Sequence, residues 1–218
     1  MDSISNNLEE VKAQLPANVS LVAVSKTKPN SVIEAAYSVG QRVFGENRIQ
    51  ELVAKSEELP KDIEWHMIGH LQSKKVKKIA PFVELIHSVD SLKLLTEINK
   101  QAKNNNRTIS CLLQFHIAEE ESKYGFNLDE VISIIDSKEF NTLNNVKIEG
   151  VMGMATFTID EKTVRNEFKI LKSIHKEINK KLANCKIISM GMSNDFHVAI
   201  RHGATWVRVG RGIFGARG

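Results

Sequence analysis

Cysteine is nearly absent: the 218-residue chain has two, Cys111 and Cys185, far apart and without CxxC spacing. That excludes a disulfide framework and a cysteine-built zinc site, and predicts reduced thiols in a cytoplasmic protein. Proline is scarce, with four residues, and no Pro/Gly/Ser-rich linker or composition shift divides the chain. One domain over 1–218 is expected. Aromatics are only 6%, and none interleave with the basic run Lys74, Lys75, Lys77 and Lys78. The run reads as a solvated helix face, and no nucleic-acid partner is expected. No apolar run approaches membrane-spanning length, so no membrane partner is expected, and the polar, acidic Met1–Glu10 does not read as a signal peptide. Gly-x-Ser-x-Gly and Walker motifs are missing as well, and no Gly-x-Gly-x-x-Gly is read after a strand.

What is present is ordinary in bulk and patterned in detail. Hydrophobic residues are 42%, charged residues 26%, and the net charge is +4, which suits an anionic small molecule without requiring one. Short apolar runs predict strands at Ser20–Lys26, Arg42–Glu46, Glu64–Gly69, Leu85–Asp90, Ile109–Ile117, Ile148–Ala155, Lys186–Gly191 and Thr205–Val209. A helix at Ser3–Gln14 precedes them. Helical patterns separate them at Ser31–Val39, Arg48–Leu59, Leu71–Ala80, Ser91–Lys103, Leu128–Ser137, Glu161–Leu182 and Asp195–His202. Eight strands alternating with helices predict an α/β protein, a single (β/α)8 TIM barrel, with an open doubly wound sheet as the alternative.

The first strand, within Leu21–Lys28, runs into lysines at the end where such sheets present ligands. A partly desolvated lysine there has a lowered pKa and suits Schiff-base chemistry. Strand parity leaves Lys26 and Lys28 as equal candidates, and a lysine extending its ammonium into water is the plain alternative. After the seventh strand, Ser193 is placed to cap a helix, leaving backbone amides free for an anion. The eighth strand ends in Gly210-Arg211-Gly212, where a backbone could approach a phosphate closely. In barrels these two loops form the usual phosphate cradle. Arg208, inside Trp206-Val207-Arg208-Val209, needs a carboxylate or a cofactor ring nitrogen as partner. Asn47 either caps the following helix or points into the barrel mouth. His66 and His70, four apart on a strand, do not assemble a metal site, so core histidines are expected. Glu119-Glu120-Glu121 reads as an exposed acidic loop.

Several stretches together resemble one family. They are Ala23-Val24-Ser25-Lys26-Thr27-Lys28-Pro29, Phe44-Gly45-Glu46-Asn47, Trp65-His66-Met67-Ile68-Gly69-His70-Leu71-Gln72, Ser189-Met190-Gly191-Met192-Ser193 and Val207-Arg208-Val209-Gly210 with Ile213-Phe214-Gly215. They are similar to the signatures of the pyridoxal phosphate homeostasis proteins (the YggS/PROSC family), from about Leu21 onward. The resemblance implies a barrel like the N-terminal domain of alanine racemase. It implies pyridoxal 5'-phosphate (PLP) held by Lys26 as an internal aldimine, and phosphate held by Ser193 and the amides of Gly210 and Arg211. Arg208 would face the pyridine nitrogen and Asn47 would lie beside the ring. A permanently charged arginine disfavours a second proton on that nitrogen and restrains carbanion chemistry, so the site stores cofactor more readily than it transforms substrate.

Two departures stand out: Arg211-Gly212 replace small hydroxyl residues common in the family, and Lys74 stands where an Asn is usual. The implied function is intracellular PLP homeostasis with little or no turnover, in a cytoplasmic monomer that supplies apo forms of PLP-dependent enzymes. A PLP-dependent amino-acid racemase or lyase is the alternative. A cofactor-free lysine aldolase, which would lack visible absorbance, and a salt-sensitive binding module around Lys74 stand behind it.

Overall fold

A computed structural model describes residues 2–120 and 124–216 of the chain. Eight parallel strands close into one barrel: β1 (Ser20–Val24), β2 (Val43–Glu46), β3 (Glu64–Met67), β4 (Leu85–Val89), β5 (Ile109–Phe115), β6 (Val146–Gly153), β7 (Ile187–Met192) and β8 (Trp206–Val209). Each pairs with its neighbour in sequence, and β8 returns to β1 with Val22 opposite Arg208. The open-sheet alternative is thereby ruled out. Closure leaves no strand edge bare and leaves every strand covered by helices, which is why the strand runs are almost uniformly apolar.

The outer helices are α1 (Asp2–Ala13), α2 (Asn30–Ser38), α3 (Ile49–Glu58), α4 (Leu92–Asn104), α5 (Leu128–Ile135), α6 (Glu161–Lys181), α7 (Phe196–Arg201) and α8 (Arg211–Phe214). On α6 the apolar stripe Val164, Phe168, Leu171 and Ile178 is buried, as its spacing of three and four predicts. Asp160 caps it through the amides of Lys162 and Thr163. One continuous apolar core joins the strands to these helices. Leu85, Leu112 and Met152 form a separate small cluster with Met154 and Ile187. Where β6 meets β7, a Cβ on Gly150 would fall 2.0 Å from the carbonyl oxygen of Ile187, so that crossing requires glycine.

Several expectations change. The helix expected over Leu71–Ala80 is a 3₁₀ helix, Ser73–Lys78, because four lysines in six residues leave only Val76 buried to anchor it. Strand β1 stops at Val24, two residues before the expected end, so Lys26 lies in a turn rather than on the strand. The segment after β8, expected as a glycine loop, forms α8. Of the acidic run, Glu119 is exposed, Glu120 is half-buried with its Oε1 accepting from Phe157 N–H at 3.0 Å, and Glu121 lies outside the described residues. Among the described residues no helix is long and apolar enough to cross a membrane.

Candidate functional site

The loops at the C-terminal ends of the strands enclose a cavity of about 750 Å³, within the range of small-molecule sites. Its lining includes Lys26, Lys28, Asn47, Met154, Ser193, Asn194, Arg208, Gly210 and Arg211. All six residues singled out from the sequence therefore meet in one place. A hollow of about 600 Å³ at the opposite end, lined by Lys12, Arg42 and Trp206 among others, contains none of them.

Lys26 occupies a turn closed by Lys28 N–H donating to the Ser25 carbonyl at 3.1 Å. Lys28 also faces the cavity, but its Nζ is engaged, donating to the Ala216 carbonyl at 2.7 Å. On the far side, Gly210 N–H donates to Ser193 Oγ at 3.2 Å, which ties the loop after β7 to the loop after β8. A Cβ on Gly210 would sit 3.0 Å from the Val24 carbonyl oxygen, so this close approach favours glycine.

Ser193 is not a helix cap. Asp195 instead precedes α7, and its Oδ1 accepts from Met192 N–H. That leaves the Ser193 hydroxyl facing the glycine turn. Asn47 does not cap α3 either; Arg48 occupies that position, and Asn47 Oδ1 is buried without a hydrogen-bond partner.

Arg208 is 4% exposed, and among the described residues no carboxylate forms a direct ion pair with it, although Asp195 supports its charge from a distance. Its Nη1 donates to Ser189 Oγ at 2.5 Å and its Nη2 to the Gly153 carbonyl at 3.1 Å. Burial pushes its pKa down to about 10, so the guanidinium stays charged at neutral pH. Behind it, Ser189 Oγ lies 3.0 Å from His87 Nδ1, and His87 Nε2 lies 3.0 Å from His66 Nδ1. An arginine only donates, so Ser189 accepts from it. One assignment satisfies every link: the Ser189 hydroxyl donates to His87 Nδ1, and His87 donates from Nε2 to His66 Nδ1. Burial drives both histidines far below their ordinary pKa, His66 to about 3, so both are neutral. His66 is a core histidine, as expected, and His87 joins it in the core; His70, expected to be a core histidine too, is instead exposed, with its Nδ1 3.1 Å from Asp90 Oδ2. No metal-ligating cluster exists among the described residues.

Below the Lys26 turn is a buried ion pair that the sequence reading missed. Glu46 is completely buried, and its Oε1 accepts from Lys55 Nζ at 2.7 Å and Ser25 Oγ at 2.6 Å. Desolvation raises the carboxyl's pKa, against the opposing pull of Lys55 and Ser25. A signal existed, because Ile49, Leu52, Lys55 and Leu59 recur at helical spacing and put a lysine on an apolar face. A second signal was also passed over. Gly210-Arg211-Gly212-Ile213-Phe214-Gly215 has the spacing Gly-x-Gly-x-x-Gly, directly after a strand and opening a helix.

The family model for the N-terminal domain of alanine racemase matches residues 1–218. A pyridoxal phosphate homeostasis protein of Vibrio alginolyticus is 34% identical over 100% of this chain and 99% of its own. The human protein of that name is 36% identical over 99% of this chain and 84% of its own. The chain belongs to the pyridoxal phosphate homeostasis protein family. Among solved structures, PipY of Synechococcus elongatus without PLP superposes with a TM-score of 0.92 at 35% identity, covering 97% of this chain and 100% of PipY. PipY with PLP bound gives 0.88 at 34% identity. Alanine racemase of Clostridium difficile shares the fold, with a TM-score of 0.81 at 14% identity. The pocket suits the family's cofactor: a buried acceptor on Asn47 lacks a donor, a charged Arg208 waits at the wall, and the Gly210 turn packs its backbone closely against Val24.

Proposed function

We propose that this protein binds PLP in the cavity at the C-terminal mouth of its barrel and serves intracellular PLP homeostasis with little or no turnover. The observation that carries the reading is the convergence of Lys26, Asn47, Ser193, Arg208, Gly210 and Arg211 on one cavity. When bound, PLP supplies an aldehyde that condenses with amines and a ring that withdraws electrons. Lys26 would hold the aldehyde end covalently. Ser193 and the first amides of α8 would hold the phosphate, with the exposed Arg211 side chain adding positive charge where relatives carry a hydroxyl. Arg208 would face the ring nitrogen as a donor and keep it unprotonated, which weakens the ring as an electron sink. Asn47 Oδ1 would accept from a donor on the ligand. The retained cofactor would then pass to apo forms of PLP-dependent enzymes.

The test is an absorbance spectrum of the protein with PLP, taken before and after borohydride, followed by peptide mapping. A visible band that borohydride bleaches, with the label on Lys26 and no band in Lys26→Ala, is the expected result. A label on another residue, or robust racemisation of an amino acid by the loaded protein, overturns the reading.

A further inference from the structure

Strand β1 ends at Val24, so the barrel ladder does not itself set the backbone on either side of Lys26. Besides Lys28 N–H, which closes the turn on the Ser25 carbonyl, two side chains of α3 do. The Ser25 carbonyl, in the peptide preceding Lys26, accepts from Lys55 Nζ at 3.0 Å. The Thr27 amide, in the peptide following it, donates to Glu51 Oε2 at 2.7 Å. Glu51 and Lys55 lie one helical turn apart and 3.4 Å from each other. Lys55 is anchored in turn to the buried Glu46, which also receives the Ser25 hydroxyl. The clamp therefore reaches Lys26 from β2 and α3, a different βα unit.

The backbone it holds is strained. Thr27 has φ of +63°, a left-handed conformation that a β-branched residue adopts only where its surroundings impose it. The bond to Glu51 holds the peptide between Lys26 and Thr27. Released from it, Thr27 has an extended conformation available, and the direction in which Lys26 leaves the backbone changes with it.

We propose that Glu51 and Lys55 are positioning residues for Lys26: they grip the two peptide groups flanking it and so aim its amine into the cavity. This rests on the reading that Lys26 carries the cofactor. Neither residue lines the cavity, and both act only through the turn. A reactive group displaced by an ångström loses on the order of a hundredfold in rate, so the clamp sets how fast cofactor is captured.

The test compares Glu51→Ala with Glu51→Gln, because Glu51 is only partly buried and the glutamine keeps an acceptor oxygen for the Thr27 amide. Two readouts are taken. In cofactor-free protein, amide hydrogen exchange at Thr27 should quicken at least about tenfold in Glu51→Ala and stay near its original rate in Glu51→Gln. On mixing with PLP, growth of the visible band should slow about ten- to hundredfold in Glu51→Ala and less than about threefold in Glu51→Gln. Unchanged exchange at Thr27 in Glu51→Ala, or unchanged capture despite faster exchange, overturns the proposal. Equal slowing in both variants does so too, since the carboxylate charge and not the amide bond would then be responsible. If the unaltered protein forms no adduct at Lys26, the cofactor reading fails and takes this inference with it, while the exchange result still reports on the clamp alone.

Discussion

Acid should destabilise this protein before its carboxylates titrate, because two histidines inside the barrel are held neutral. An unfolded histidine binds a proton below about pH 6.5. In the folded chain, burial keeps His66 from doing so until about pH 3, and His87 is pushed well below its ordinary value by burial and by neighbouring His66 and Arg208. The folded pKa values are depressed, so the unfolded state binds more protons as pH falls, and stability is lost from pH 6.5 downward. A histidine held neutral contributes about 1.4 kcal/mol per pH unit once well below 6.5. Between pH 7.5 and 5.0 that is about 2 kcal/mol for His66, with His87 adding in the same direction, against a total stability of roughly 5–15 kcal/mol.

Half-buried His175, also lowered by burial, works in the same direction, whereas Glu46, raised by burial, works against it. The hydrogen-bond chain gives the same sign. A protonated His87 would donate from both nitrogens, leaving the Ser189 hydroxyl proton without an acceptor beside a charged Arg208. Urea unfolding followed by circular dichroism at constant ionic strength, from pH 7.5 to 5.0, measures the slope directly. His87→Phe should remove about one proton from it. A stability that changes by less than about 1 kcal/mol over that range, or a slope indifferent to His87→Phe, would refute the claim that these rings are held neutral.

Other consequences can be measured alongside. Ser189→Ala leaves Arg208 Nη1 and His87 Nδ1 without their shared partner, at about 1–3 kcal/mol for each buried group, which the urea midpoint reports. Lys55→Ala strands the fully buried Glu46 and should cost about 3–5 kcal/mol, whereas Glu46→Leu combined with Lys55→Met should cost far less. Cys111 and Cys185 are both buried, and burial raises both thiol pKa values, Cys185 to about 12. Neither should react with a thiol reagent until the protein unfolds, so the labelling rate should follow urea concentration through the unfolding transition.

The sequence alone determined the alternation of strands and helices and the positions of all eight strands to within a few residues, whereas the set Lys26, Asn47, Ser193, Arg208, Gly210 and Arg211 came from its resemblance to the family. It could do so because apolar periodicity and glycine placement are local properties, and because strand ends in such sheets share one face of the molecule. Only the tertiary structure decided which polar groups satisfy one another. The partners of Ser25 are Glu46 and Lys55, those of Arg208 are Ser189 and Gly153, and His87 bonds to a serine 102 residues away. Periodicity carries no record of such distant pairs. It marked Arg208 as a charge in need of a carboxylate or a cofactor ring nitrogen, made Ser193 a candidate helix cap, and left Asn47 between a helix cap and the barrel mouth. Closing the barrel brought a serine and a carbonyl to Arg208 instead, freed Ser193 to meet Gly210, and left the oxygen of Asn47 waiting for a donor.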